Sequence, residues 1–172
     1  MENIKIKECK LSDIEELQKI SYKTFDETFR KYNKKEDIDL YLKNAFTITK
    51  LKGEIENKFS KFYLLYFKDE LAAYLKLNIL DAQSEQIDEN ALEIERIYIL
   101  QKYQKHRIGE ILVKFAVEKA KTLKKDKIWL GVWEHNEKAL KFYKKIDFKI
   151  ISSHDFYMGE DRQRDYIMIK EL

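Results

Sequence analysis

Residues 95–116 read ERIYILQKYQKHRIGEILVKFA, and the pattern changes twice within them. The run ALEIERIYIL, which ends at Leu100, alternates apolar and charged residues and predicts a strand. From Ile108 onward, Ile108, Ile111, Leu112, Phe115, Ala116, Ala120 and Leu123 recur with a helical period, so a helix is predicted there. QKYQKHRIGE, residues 101–110, joins the two. A strand that feeds a helix through a short loop sets the first unpaired N–H groups of the helix at the edge of the sheet, where they can hold an anion. Lys105, His106 and Arg107 add positive charge, and Gly109 lets a ligand come close to the backbone. A phosphate or pyrophosphate is the natural guest, and an ordinary solvated helix start is the competing reading. GxxxxGK followed by Ser or Thr is absent, as is GxGxxG, which excludes a Walker loop and the usual dinucleotide fingerprint.

Outward from this junction the elements follow one another through polar turns. NIKIKEC near the start alternates as a half-buried strand does, and LSDIEELQKISYKTF sets Leu11, Ile14, Leu17, Ile20 and Phe25 at helical spacing. Ser12 with Glu15 fits a capping box. A second helix is expected over about residues 34–48, and a polar stretch then leads to KFYLLYF. That run, a turn at Lys68 to Glu70, and LAAYLKLNIL read as an antiparallel hairpin. Beyond the central helix come a strand at KIWLGVW, a helix at NEKALKFYKKI and two strands in FKIISSHDFYMG and RQRDYIMIKEL. The order β-α-α-β-β-β-α-β-α-β-β implies an α+β (mixed α/β) fold with a central mixed sheet flanked by helices. With no proline and no Gly/Ser linker, nothing marks a boundary, so residues 1–172 are read as a single domain.

Composition narrows the function. Charged residues make up 38% of the chain, yet 34 Lys and Arg against 31 Asp and Glu leave a net charge of only +3, which argues against a general nucleic-acid binder. No stretch approaches the roughly 20 apolar residues of a membrane span, and MENIKIKECK lacks the apolar block of a signal peptide. A cytoplasmic protein with no membrane or nucleic-acid partner is expected. The lone Cys9 can form neither an internal disulfide nor a thiolate cluster, and His106, His135 and His154 have no ligand spacing, so no metal is expected.

Two motifs in order sharpen this. Gln104, Lys105, His106, Arg107, Ile108 and Gly109 follow a strand and open a helix, and Asn136, Ala139, Phe142 and Tyr143 open the next. Together they resemble the acyl-CoA-binding half of the GNAT superfamily of N-acetyltransferases. Arg107 stands where that family usually has a glycine, and Asp147, before Phe148, where it usually has another. Arg107 is expected in the first helical turn with φ < 0, where a side chain is tolerated and can meet phosphate. Asp147 is compatible with a left-handed helix cap.

The resemblance implies a GNAT fold with a mostly antiparallel sheet, and acetyl-CoA as cosubstrate. Backbone groups of Ile97, Tyr98 and Ile99 are then expected to pair with the pantetheine arm, the amides of Gln104 to Gly109 to hold the pyrophosphate, and Asn136 and Lys145 to assist. Tyr143, with an ordinary pKa near 10, suits the role of acid toward a departing thiolate of about 8.5. Its competing reading is a core aromatic beside Phe142, although adjacent helical positions cannot share one face, so one of the pair should point into the site. Glu93 and Glu95 alternate onto one face of their strand and can accept the proton of an amine if desolvation or a water relay helps them. Glu95 is the first choice, and a solvated strand face is the alternative.

The ending SSHDFYMGEDRQRDYIMIKEL is similar to that of PaiA-type polyamine acetyltransferases at Phe156, Gly159, Asp161, Gln163, Asp165, Ile167, Met168, Lys170 and Leu172. This implies a small primary amine, spermidine or spermine, as acceptor, attacked directly in a ternary complex. The stretch TFDETFRKY is expected to be a loop over the acceptor, with Asp26 and Glu27 attracting the polyamine; a helix N-cap competes for Asp26. Acetylation of a protein N-terminus or lysine, and a CoA-sensing protein without turnover, remain alternatives. A homodimer is compatible with this reading.

Overall fold

The computed structural model describes residues 3–172. Its strands are β1 (Ile4–Glu8), β2 (Ser60–Phe67), β3 (Glu70–Asn78), β4 (Ala91–Ile99), β5 (Lys127–Trp133), β6 (Lys149–Met158) and β7 (Asp161–Glu171). Its α-helices are α1 (Ile14–Phe29), α2 (Lys35–Ala45), α3 (Ile48–Glu56), α4 (Ile108–Thr122) and α5 (Glu137–Lys145). The strands form one sheet in the order β1-β2-β3-β4-β5-β7-β6. Every neighbouring pair is antiparallel except β4 with β5, which is parallel.

Alternation along the strands divides the core into two layers. On β4, Ile99 turns toward α4, its Cδ1 near Gly109, whereas Tyr98 turns toward Phe25 of α1 at 6.4 Å between rings. β2 repeats the split: Tyr63 packs on Phe115 of α4, and Phe62 lies under Arg96 on the other face. The first hairpin closes through Lys68 and Asp69, both at positive φ (49° and 64°), the twist that a two-residue hairpin turn needs.

Three local expectations are corrected. Ser12 does not cap α1; Asp13 does the work at that end, taking the backbone N–H of Lys10 at 2.9 Å and Lys7 Nζ at 2.6 Å. TFDETFRKY is no loop, because α1 runs on to Phe29 and passes into a 3-10 turn, Arg30–Tyr32. The polar stretch before β2 is α3, started by Thr47 Oγ1, which accepts the N–H of Lys50 at 3.3 Å. Leu51 is the one fully buried residue of this helix, so its apolar stripe is too narrow to stand out in the sequence.

Candidate active site

The site starts from a defect in the sheet. Pairing of β4 with β5 stops at Ile94–Leu130, although β4 stays with β3 as far as Ile99–Ala73 and β5 stays with β7 as far as Trp133–Asp165. The strands therefore splay after Ile94, and one side of the backbone from 95 to 99 is open to an extended ligand. A cavity of about 790 Å³ fills the gap, bordered by Ile97, Tyr98 and Ile99 on one side and by Trp133, Asn136 and Tyr143 on the other.

The N-terminus of α4 closes one end. Arg107 is its N-cap, with φ 57° and ψ 18°, so the residue lies in the left-handed region rather than at the expected negative φ. The helix begins at Ile108 as its period predicts, and the reversal out of the 101–106 turn falls on Arg107. Its guanidinium reaches Glu110 Oε2 at 2.6 Å and is largely exposed. Gln104, Lys105, Arg107 and Gly109 border the cavity. His106 turns away to stack on Phe67 at 4.6 Å between rings, and the Ile108 side chain is core. The amides of Gln104 and His106 are already donated to Gln101 and Tyr103, which takes these two of the expected 104–109 set out of the cradle. A Cβ at Gly109 would meet Ile99 and Phe142 only at 3.6 and 3.7 Å, ordinary contacts, so glycine is not demanded by packing there.

α5 forms the far wall. Asn136 caps it, Oδ1 accepting the N–H of Ala139 at 3.1 Å, which leaves Nδ2 as the donor toward the cavity. Tyr143 is buried, packed on Phe142 and Phe148, and burial pushes its hydroxyl well above the ordinary tyrosine range. Phe142 borders the same cavity, so both members of the pair face it rather than one. Lys145 is exposed and does not border the cavity; its charge is felt by Glu110.

A second cavity, about 670 Å³, lies beside β4 among α1, α2, α3 and the β6–β7 turn. Tyr98 borders both. Phe25, Tyr41, Phe46 and Tyr74 supply aromatic walls, with Phe25 and Tyr41 stacked at 4.5 Å. Glu93 and Glu95 share a face by alternation, and a bulge at Glu95 shifts the alternation so that Arg96 and Tyr98 join it, since Lys76 pairs with Arg96 and the next β3 residue, Leu77, with Ile94. Asn78 Nδ2 then binds both glutamates, at 3.0 Å to Glu93 and 2.6 Å to Glu95. Glu95 borders the cavity and also meets Lys76 at 2.5 Å and Arg96 at 3.3 Å. Burial pushes its carboxyl up, but Arg96, Lys76 and Asn78 together outweigh burial and hold it below the ordinary value. Glu93 is buried behind it, held by Ser84 and Asn78, and burial raises its carboxyl.

Asp26 and Glu27 do not meet this second cavity. Asp26 pairs with Arg30 at 2.5 Å, which also holds Asp39 of α2 at 2.8 Å. Glu27 takes the N–H of Gln101 at 2.8 Å and borders the first cavity instead. The extra turn of α1 carries both carboxylates away. Sequence reasoning missed Asp37, Glu54 and Arg96, although a basic residue alternating with Tyr98 inside a strand was a visible sign of a lined cavity.

Among the described residues no group of three or more His, Cys, Asp and Glu could hold a metal ion, and no helix is long and apolar enough to cross a membrane. The profile of the acetyltransferase (GNAT) family matches residues 14–148. An uncharacterised N-acetyltransferase of Lactobacillus delbrueckii subsp. lactis is 43% identical over 172 residues, covering 100% of this chain and 99% of the relative. The spermine/spermidine N(1)-acetyltransferase of Bacillus subtilis is 26% identical over 109 residues, 63% of this chain and 68% of its own. Among solved structures, the PaiA N-acetyltransferase of Thermoplasma acidophilum in complex with coenzyme A superposes with a TM-score of 0.79 at 23% identity, over 99% of both chains.

Proposed function

Since the chain belongs to the GNAT family of acetyltransferases, we propose that it transfers the acetyl group of acetyl-CoA to a primary amine of a polyamine, by direct attack in a ternary complex. The observation that carries this is Tyr98, the residue common to the cavity in the sheet gap and the cavity enclosed by α1, α2 and α3. One cavity suits an extended acyl carrier, the other a small flexible amine, and the reacting atoms meet where they touch.

The residues fit their parts. The open edge of β4 offers backbone partners to an amide-bearing arm, and the first N–H groups of α4, with Lys105 and Arg107 beside them, offer an anion cradle. Asn136 Nδ2 can donate to the same arm. Tyr143, which burial keeps protonated throughout the neutral range while making it a weaker acid, is the donor in this reading and protonates the thiolate as charge develops on the sulfur. Glu95 stays ionised but its charge is balanced by Lys76 and Arg96, so its part is to order a water that relays the amine's proton rather than to strip it unaided. Holding the reactants in one geometry supplies much of the barrier reduction. An acyl-enzyme on Cys9 is disfavoured: the thiol is buried, which pushes it up to about 12.

The aromatic walls, the carboxylates and the name of the Bacillus relative support a polyamine as acceptor. The lone buried cysteine supports a cytoplasmic setting. The test is release of CoA from acetyl-CoA with spermidine. Tyr143→Phe is expected to lower kcat by on the order of a hundredfold while leaving the KM for acetyl-CoA near its starting value. Unchanged turnover in this variant removes the acid role, and no turnover by the unmodified protein with any amine in a panel favours a CoA sensor.

A further inference from the structure

The cavity on the α1 face holds three carboxylates, Asp37, Glu54 and Glu95, and they are not equivalent. Glu54 grips Arg96 through two bonds of 2.9 Å and also meets Lys76 at 3.3 Å, and Glu95 meets the same two cations. Two cations are balanced by two anions, and Arg96 is further covered by the rings of Phe46 and Phe62. Asp37 alone has no ion pair and no side-chain hydrogen bond among the described residues, and it is half-buried. Lys50 also borders the cavity, but it is exposed on a flexible stem that can carry its ammonium into solvent.

The position of Asp37 is defended by the turn opposite. Gly159, at φ 62°, lies against its carboxylate, and a Cβ there would fall 2.6 Å from Asp37 Cγ. This accounts for a glycine that the catalytic reading leaves unused. Tyr41, one helical turn from Asp37 on α2, is stacked on Phe25 and offers a face to methylene groups or a cation along the way.

Building on the polyamine reading, we infer that Asp37 is the specificity-determining residue that holds a second ammonium of the acceptor, so that amines with a distal positive charge are selected over monoamines. The reacting nitrogen then sits toward Tyr98 and Glu95, and the distal one toward α2 and the β6–β7 turn. Asp37 also lies in the first turn of α2, where a carboxylate favours the helix dipole; that role moves stability but not the choice between amines.

The experiment compares kcat/KM for spermidine and for butylamine in the full-length protein, with thermal unfolding of each variant. In Asp37→Asn the spermidine-to-butylamine ratio is expected to fall about tenfold, mainly through the KM for spermidine, as for loss of one hydrogen bond to a charged group. Gly159→Ala, which must push the carboxylate aside, is expected to lower the same ratio. A ratio unchanged in Asp37→Asn, with or without a lowered unfolding temperature, overturns the inference while the polyamine reading stands. Absence of spermidine acetylation by the unmodified protein overturns that reading and this inference together.

Discussion

At Arg107 two demands on one residue conflict. A side chain at φ 57° carries a left-handed strain of about 1–2 kcal/mol that glycine does not feel. The Arg107–Glu110 pair is exposed, and pairs of that kind return little. Arg107→Gly is therefore expected to stabilise the fold by about 1 kcal/mol, less than the full strain because glycine loses more backbone entropy on folding. That corresponds to a rise of roughly 3 °C in the unfolding temperature. The same change removes a positive charge beside the anion cradle, so the KM for acetyl-CoA is expected to rise. A stability gain with no change in KM would place the guanidinium in solvent only. Asp147 shows what sequence can resolve at this scale: a residue just past a helix end is held to a left-handed cap by a local rule, and it adopts φ 71°. The geometry of Arg107 is set instead by where the preceding turn reverses, which no single residue type announces.

Among the elements, α4 and α5 were legible because each carries a wide apolar stripe or a strong cap, and α3 was not because it buries little beyond Leu51. α1 was legible in its body and not at its ends: Asp13, not Ser12, stands at its start, and TFDETFRKY has no breaker, its last turn being held by Asp26, Arg30 and Asp39 across two helices. α5 also allows capping and ligand binding to be separated at one residue. Asn136→Ala removes the oxygen that takes the N–H of Ala139 and is expected to cost about 1 kcal/mol, because an N-cap is lost. Asn136→Asp keeps that oxygen and is expected to unfold near the original temperature. Its second oxygen, however, replaces the donor Nδ2 with an acceptor and a negative charge at the cosubstrate cavity. Both variants should then raise the KM for acetyl-CoA, but only the alanine should melt lower. If the aspartate variant keeps the original KM, Asn136 is a cap and nothing more.

Across the whole molecule, the element order was legible and the site's electrostatics were not, for a reason of distance along the chain. Alternation predicted that Glu93 and Glu95 share a face, and they do share Asn78; what no pattern shows is the bulge that brings Arg96 and Tyr98 onto the same face. Arg96 finds Glu54 on a helix 42 residues earlier, a pairing that exists only once the sheet and α3 are assembled. This network is what ties α3 to β3 and β4, because Glu54 and Glu95 face Lys76 and Arg96 where little water reaches. Glu54→Gln leaves two cations against Glu95 alone, and removing one member of a buried pair strands the other's charge. The expected loss is about 3 kcal/mol, which lowers the unfolding temperature by roughly 9 °C. A loss under about 1 kcal/mol would class the pair with exposed ones. The double change Glu54→Met with Arg96→Met separates the two meanings of that loss. If the single change hurts by stranding a charge, the apolar pair should regain most of the stability, because buried ion pairs are often replaceable by packed apolar side chains. Acetylation should not return with it, since Glu95 would then lack the guanidinium that helps keep it ionised at the acceptor cavity. Stability recovered without activity would show that the network serves the site more than the fold, and activity recovered with stability would show the reverse.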